Sequence, residues 1–449
     1  MKRAAAASFR GLLPRGCLPV MALLASANAC ARGTGATLIT PPAPSAAAAA
    51  PAGGAEGVEQ GDLKHGDLEH GSPEQGDGAP DSVPALEGAV NRSLLTRLGV
   101  PQAWQHSRGA GVIVGVLDNG FYADDPIMAG AYLEPELKFE NVVLRQDIPC
   151  AAHGSTVAAT IAARGSGPGS IVGIAPAAQI LRMSYGCPKW VELDLKQAPP
   201  GEQERLHLQY VHEIAVQGAH AFDWAVDHGA KIINFSATLF PPNYEQLPIA
   251  HRIANSDLQV LAAAAQRARA HGVLILAAAG NWIGIKTSAD QPDWKSAYPQ
   301  GGLYFPASSP AVVAVGCACG APGRACEFFH TGAEIGQPQI SSLRQGHHYG
   351  PGLAFVGYCD GVPGVIEQQQ KFVYDLTQEG GTSNAAPEVA GVLALAWAAS
   401  PDSSAEAMLD VLRRSSTDLG EPGYDERFGY GVPNARRAVE LARSSSSKK

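Results

Sequence analysis

Residues 380–399 read GGTSNAAPEVAGVLALAWAA, and this stretch sets what the rest of the chain must supply. Gly380 and Gly381 deliver the backbone to Thr382 and Ser383. A run of Ala, Val and Leu follows, and Ala and Leu are strong helix formers. Pro387 falls near the expected first turn, where a missing N–H costs little. The pattern predicts a buried helix with a serine at its mouth. A helix start offers unpaired N–H groups and a partial positive charge. That setting suits a hydroxyl that attacks a carbonyl and then faces an oxyanion. Read alone, the stretch is also an ordinary Gly-Thr-Ser cap on a core helix. A chemical role needs a base, an acid to orient it and an oxyanion donor elsewhere.

Upstream, residues 272–281 (GVLILAAAGN) predict a buried strand that ends in Ala277, Ala278, Ala279, Gly280 and Asn281. Residues 111–118 (GVIVGVLD), 179–184 (QILRMS), 231–236 (KIINFS) and 311–315 (AVVAV) predict four more. These runs are apolar on both faces and mostly rich in β-branched residues, as in parallel strands covered on both sides. Helical stretches are expected at 153–163, 206–216, up to His228 with Gly229 as its cap, and 258–270. Strand alternating with helix predicts an α/β fold: a doubly wound parallel sheet with helices on both faces. In such sheets functional groups gather at the carboxyl ends of strands. Asp118 stands at one such end, before Asn119 and Gly120. His153 opens an Ala-rich helix beside Gly154, which suggests close backbone approach. Taken singly, Asp118 is a turn former and His153 a packing or capping residue.

The full chain has 449 residues and a formal net charge of −9. No basic stripe argues for nucleic acid, and no run in the body of the chain is long enough to span a membrane. Lys2, Arg3, Arg10 and Arg15 precede an apolar stretch from 17 to 27, and Ala27 and Ala29 flank Asn28. This is the pattern of a secretory signal peptide over 1–29. Cleavage would leave Cys30 first, so lipid attachment at Cys30 and free export both stay open, in the periplasm, cell envelope or medium. Residues 30–92 are rich in Ala, Pro, Gly and acid, and predict a disordered tether. The folded domain is expected over 93–442, with a disordered tail at 443–449. Cys150, Cys187, Cys317, Cys319, Cys326 and Cys359 form an even set suited to disulfides, with pairings open. Zinc on Cys317, Cys319 and Cys326 is the rival, but the spacing does not fit a zinc ribbon.

The order Asp118, His153, Ser383 resembles that of subtilisin-family serine proteases, a family whose order of reacting groups is well known. Val116-Leu-Asp118-Asn-Gly resembles the family's Asp motif, and His153-Gly-Ser-Thr-Val-Ala-Ala its His helix. Ala277-Ala-Ala-Gly-Asn281 resembles the oxyanion segment, and Gly381-Thr-Ser383-Asn-Ala-Ala-Pro387 the serine motif. The resemblance implies a serine endopeptidase acting on protein or peptide substrates as a monomer. It implies Asp118, His153 and Ser383 as the catalytic triad, and Asn281 with the Ser383 N–H as the oxyanion hole. It also implies substrate contacts at Ser236, Ala237 and Thr238 and at Ala277, Ala278, Ala279 and Gly280. No acid stands in that pocket segment, so small or apolar substrate side chains are expected rather than basic ones. Many relatives carry a calcium loop after the His helix. Here residues 164–170 (RGSGPGS) offer no carboxylate or amide side chain, so no metal and no cofactor is expected, with calcium kept as an alternative that the loop does not support. Thr156, Asn119, Asn384 and Glu388 depart from the family's usual residues, and Trp282 after Asn281 is expected to narrow the cleft. Two other readings remain. One is a catalytically silent relative that binds protein at the cell surface; the other is an acid-active sedolisin-type peptidase, against which His153 and Asn281 argue.

Overall fold

The computed structural model describes residues 86, 88–139, 151–186, 200–239, 255–286, 301–319, 328–331, 342–368, 370–377 and 380–446. The expected leader, most of the tether, and Cys150, Cys187 and Cys326 lie outside the described residues. Two short helices open the fold, α1 (Arg92–Arg97) and α2 (Val100–Ala103), and they bury Leu94, Leu95 and Val100. The chain then alternates strand and helix. In order come β1 (Ile113–Asp118), β2 (Tyr132–Lys138), α3 (Ala151–Ala162), β3 (Gln179–Ser184), α4 (Pro200–Asp227), β4 (Ile232–Phe235), α5 (Asn255–Ala270) and β5 (Leu274–Ala278). Next are β6 (Asn281–Lys286), β7 (Val312–Ala318), β8 (Phe328–Thr331), β9 (Ser342–His347) and β10 (Leu353–Tyr358). A hairpin of β11 (Val362–Gln368) and β12 (Lys371–Thr377) leads to the helix α6 (Thr382–Ala399). The chain closes with α7 (Ala405–Ser415), β13 (Ser416–Thr417), β14 (Val432–Pro433) and α8 (Ala435–Ser446).

Seven parallel strands form the main sheet in the order β10-β7-β5-β4-β1-β3-β2. The winding reverses at β1: β3 and β2 lie to one side, and β4, β5, β7 and β10 to the other. Such a reversal opens a crevice beyond the strand ends, and Asp118 is the last residue of β1. Alternation along β1 sends Gly115 and Leu117 toward α4, where Ala225 and Gly218 approach them closely. Asp118 therefore points to the opposite face, against Gly154 of α3. Helix α6 packs on α3, β4, β5, β7 and β10, and nearly all of its length is buried.

Every strand expected from the sequence is present, and two more complete the sheet. β2 (YLEPELK) is a half-exposed edge containing Pro135, which gives no clear apolar run. β10 (LAFVGY) is short and apolar, and such a run does not by itself separate strand from buried helix. The two helical stretches expected around 206–216 and 222–228 are one helix, α4. Gly218 does not break it, because Leu261 of α5 fills the place of the missing side chain, 3.3 Å from where a Cβ would sit. At the C-terminus α8 runs to Ser446, past the boundary expected at 442. Its buried stripe of Ala435, Ala438, Val439 and Ala442 packs against α2, α6 and α7.

Candidate active site

Asp118 is fully buried at the end of β1, and its Oδ1 accepts the Asn119 N–H and meets His153 Nδ1, both at 2.7 Å. Gly154 makes this approach feasible. A Cβ there would lie 2.3 Å from the Gly120 carbonyl oxygen, closer than any side chain tolerates. His153 sits in the first turn of α3 with its side chain 34% exposed, so one edge of the ring faces the acid and the other is open. Burial pushes the His153 pKa down, while the Asp118 charge and their hydrogen bond push it up. The balance is a pKa above the ordinary 6.5.

Ser383 is the second residue of α6, which packs against α3, so the helix starts bearing His153 and Ser383 belong to two adjoining elements. No hydrogen bond joins the Ser383 hydroxyl to the His153 ring in this structure. Pro387 stands one and a half turns into α6, deeper than the first turn expected from the sequence, and its missing N–H leaves the Ser383 carbonyl without its intrahelical donor. Ser236, just beyond β4, donates its hydroxyl to that carbonyl at 2.7 Å and itself accepts from Asn234 Nδ2 at 2.8 Å. Asn384 Oδ1 accepts the Gly381 N–H at 3.1 Å and closes the helix start.

Asn281 lies against the same helix start. Its Oδ1 accepts the Thr382 N–H at 2.9 Å and the Thr382 hydroxyl at 3.1 Å. His347 Nδ1 lies 3.1 Å from the same oxygen. Neither Thr382 nor His347 stands out in the sequence as a partner of Asn281, because residue type alone does not signal a contact between segments 101 and 66 residues apart. Trp282, expected to narrow the cleft, is buried at the root of β6.

The residues expected to meet substrate divide into two kinds. Ala237 and Thr238 are half-buried beside the site, whereas Ser236 is buried and spends its hydroxyl on Ser383. Ala277, Ala278 and Ala279 are almost wholly buried, and Ala279 bonds through its backbone to Val315 and Tyr304. Gly280 has φ of +116°, and the Tyr304 ring occupies the space where its Cβ would be. Tyr304, which the sequence did not single out, thus stands against Gly280.

The residues that depart from the family pattern have local partners. Thr156 Oγ1 accepts the Val365 N–H at 2.9 Å and ties the hairpin to α3. Glu388 is buried, and its Oε2 accepts the Tyr358 N–H at 2.8 Å. Burial pushes its pKa well above the ordinary 4.5, against the smaller downward pull of the Tyr358 N–H and Arg97.

Cys317 and Cys359 form a disulfide between the ends of β7 and β10, and Cys319 is disulfide-bonded as well. Cys317, Cys359 and His347 have sulfur and ring nitrogen within 4.8 Å of one another. A thiolate-imidazole zinc site would use those atoms, but the two sulfurs are bonded to each other. In the loop after α3, Ser170 Oγ donates to the Gly167 carbonyl and so closes the loop on itself.

An α/β sheet with reversed winding, an Asp–His pair at a strand end and a serine at a helix start define a class of hydrolase site. The profile of the subtilase family, peptidase S8, matches residues 109–431, and the chain belongs to that family. It is similar to fervidolysin of Fervidobacterium pennivorans, 27% identical over 355 residues, covering 77% of this chain and 43% of that protein. It is also similar to subtilisin DY of Bacillus licheniformis, 26% identical over 339 residues, covering 75% of this chain and 93% of that protein. Among solved structures, the MycP3 protease from the type VII (ESX-3) secretion system superposes with a TM-score of 0.55. That pair is 23% identical and covers 80% of this chain and 90% of the other, a likeness of fold. The chain spans less than half the length of fervidolysin (43%) and of the minor extracellular protease Epr of Bacillus subtilis (40%).

Proposed function

We propose that this chain is a serine endopeptidase that cleaves peptide bonds through an acyl-enzyme, with Asp118, His153 and Ser383 as its triad. The observation that carries the reading is the 2.7 Å contact of the buried Asp118 with His153, on a helix packed against the one that carries Ser383 in its first turn. A serine hydroxyl is a weak nucleophile at neutral pH and needs a base in reach. Neutral His153 takes the Ser383 proton through Nε2 as Oγ bonds to the scissile carbonyl carbon. It then gives that proton to the leaving amine as the C–N bond breaks. Asp118 holds the Nδ1–H tautomer and stabilises the imidazolium between the two transfers. Water repeats the sequence on the ester and frees Ser383.

The carbonyl oxygen becomes an oxyanion in each step. The Asn281 side-chain amide and the Ser383 N–H supply its donors, the first lying against the helix start and the second belonging to it. Substrate adds as an extended strand through main-chain hydrogen bonds, with Ala237 and Thr238 on one edge. Small or apolar side chains suit the segment of Ala277, Ala278, Ala279 and Gly280. No cofactor or metal is assigned a step. Export follows from the basic and apolar leader, with Cys30 as the site of a lipid anchor if one is added. No helix among the described residues is long and apolar enough to cross a membrane.

A fluorophosphonate probe tests the reading. The wild-type protein is expected to label at Ser383 and to cleave a peptide library, and Ser383→Ala is expected to abolish both. A wild-type protein that neither labels nor cleaves would leave the surface-binding alternative standing.

A further inference from the structure

A three-stranded antiparallel sheet, β6-β9-β8, grows directly out of the site. β6 begins at Asn281 and β9 ends at His347, and these two residues are the terminal cross-strand pair. The next residue, His348, donates its N–H to the Gly280 carbonyl at 2.9 Å, which locks the register at the sheet's end. Both side chains are buried, Asn281 at 9% and His347 at 5% exposure.

The hydrogen bonds settle which way round each group sits. The Thr382 backbone N–H can only donate, so the Asn281 atom it meets at 2.9 Å is the amide oxygen. His347 Nδ1, 3.1 Å from that same oxygen, must then carry the ring proton and donate it. Two donors come from Thr382 and the third from the inserted sheet. A planar amide gripped by its oxygen has its nitrogen fixed on the opposite edge. That edge faces Gly381, where a Cβ would lie 2.6 Å from Asn281 Nδ2. Burial, with His348 beside it, pushes the His347 pKa down to about 3, so the ring stays neutral at any ordinary pH. The Cys317–Cys359 disulfide lies on the imidazole's flank and limits where it can move.

We infer that His347 is a positioning residue for the oxyanion donor: its Nδ1–H holds the Asn281 amide in the orientation that aims Nδ2 at the developing charge beside Ser383. This rests on the assignment of Asn281 made above. His347 does not touch substrate; it acts through Asn281, and its effect belongs to the transition state rather than to ground-state binding.

The test is a double-mutant cycle on the purified protein with a chromogenic peptide amide, reading kcat and KM separately. Asn281→Ala is expected to lower kcat about 100- to 1,000-fold. His347→Leu removes one of these donors and is expected to lower kcat about tenfold, the scale of one hydrogen bond, with KM little changed. In the Asn281→Ala background the same change is expected to cost less than about twofold, since nothing remains to be positioned. His347→Asn places an amide N–H near Nδ1 and is expected to recover most of the rate, whereas His347→Gln places it a bond too far. A tenfold loss that persists undiminished without Asn281, or a folded His347→Leu with full turnover, overturns the inference. If His347→Leu does not fold, the Asn and Gln variants decide, and equal kcat in both overturns it. An Asn281→Ala protein with full turnover sinks the oxyanion assignment itself and the inference with it. A normal Asn281→Ala loss with a silent His347 sinks the inference alone.

Discussion

Ser236 donates its hydroxyl to the Ser383 carbonyl across 2.7 Å, and Pro387 creates the need for that bond. In a regular helix the N–H four residues on would serve this carbonyl, and at that position α6 has a proline. Ser236 was expected to serve substrate through its strand edge. Its side chain also completes the start of the helix that carries Ser383.

Removing this donor is expected to cost stability. Ser236→Ala leaves a part-buried carbonyl unserved, a loss of about 1 kcal/mol. Adding Pro387→Ala to that variant supplies an N–H at the vacant place and should restore part of the loss. Urea unfolding in a Ser383→Ala background, which prevents self-digestion, measures both. A double variant no more stable than Ser236→Ala would show that Pro387 is not the reason for the bond.

The His153–Asp118 pair predicts the acid limb of the activity profile. The folded pKa of His153 is raised, so the base form is lost as pH falls through a value above 6.5. Asp118→Asn removes the charge that raises it and leaves burial, which lowers it. The residual acid limb should therefore move below 6.5, while kcat falls by about 10,000-fold, as in other triads. The same raised pKa stabilises the fold: the gain is complete below about pH 6.5 and disappears as pH rises through the folded value. A pH profile of kcat/KM that does not move in Asp118→Asn would contradict the assignment.

Gly381 adopts φ of −107° and ψ of −179°, extended backbone open to any residue. Its place is reserved by proximity alone, because a Cβ would press on Asn281 Nδ2. Gly381→Ala is expected to lower kcat at least tenfold with KM little altered, through the loss of a well-placed oxyanion donor. Unchanged turnover would mean that the amide has room to retreat.

Glu388 predicts a stability that depends on pH. Its folded pKa is raised, so the folded protein holds a proton that the unfolded chain releases near pH 4.5. The neutral carboxyl therefore contributes fully below that pH, and its contribution declines as pH rises toward the folded value. Glu388→Gln keeps an acceptor for the Tyr358 N–H and removes the proton linkage. The variant should gain stability relative to wild type between pH 4 and pH 8, measured as the urea midpoint at each pH. A difference that stays constant would show that Glu388 does not titrate in the fold.

The sequence by itself determined the sheet's five inner strands and the order in which Asp118, His153 and Ser383 fall along the chain. It also determined the place of each group at a strand end or helix start. These are local properties: apolar runs, a glycine where the backbone must approach, and a helix-forming segment after a Gly-Thr-Ser mouth. What joins distant segments was decided only by the tertiary structure. The Ser236–Ser383 bond spans 147 residues and the His347–Asn281 bond spans 66, and neither has a signature in residue type. The continuity of α4 across Gly218 depended on a leucine of another helix, and the edge strands β2 and β10 on the neighbours they pair with. Local propensity is written residue by residue. Register and packing exist only once the sheet has closed and each buried polar group has had to find its partner.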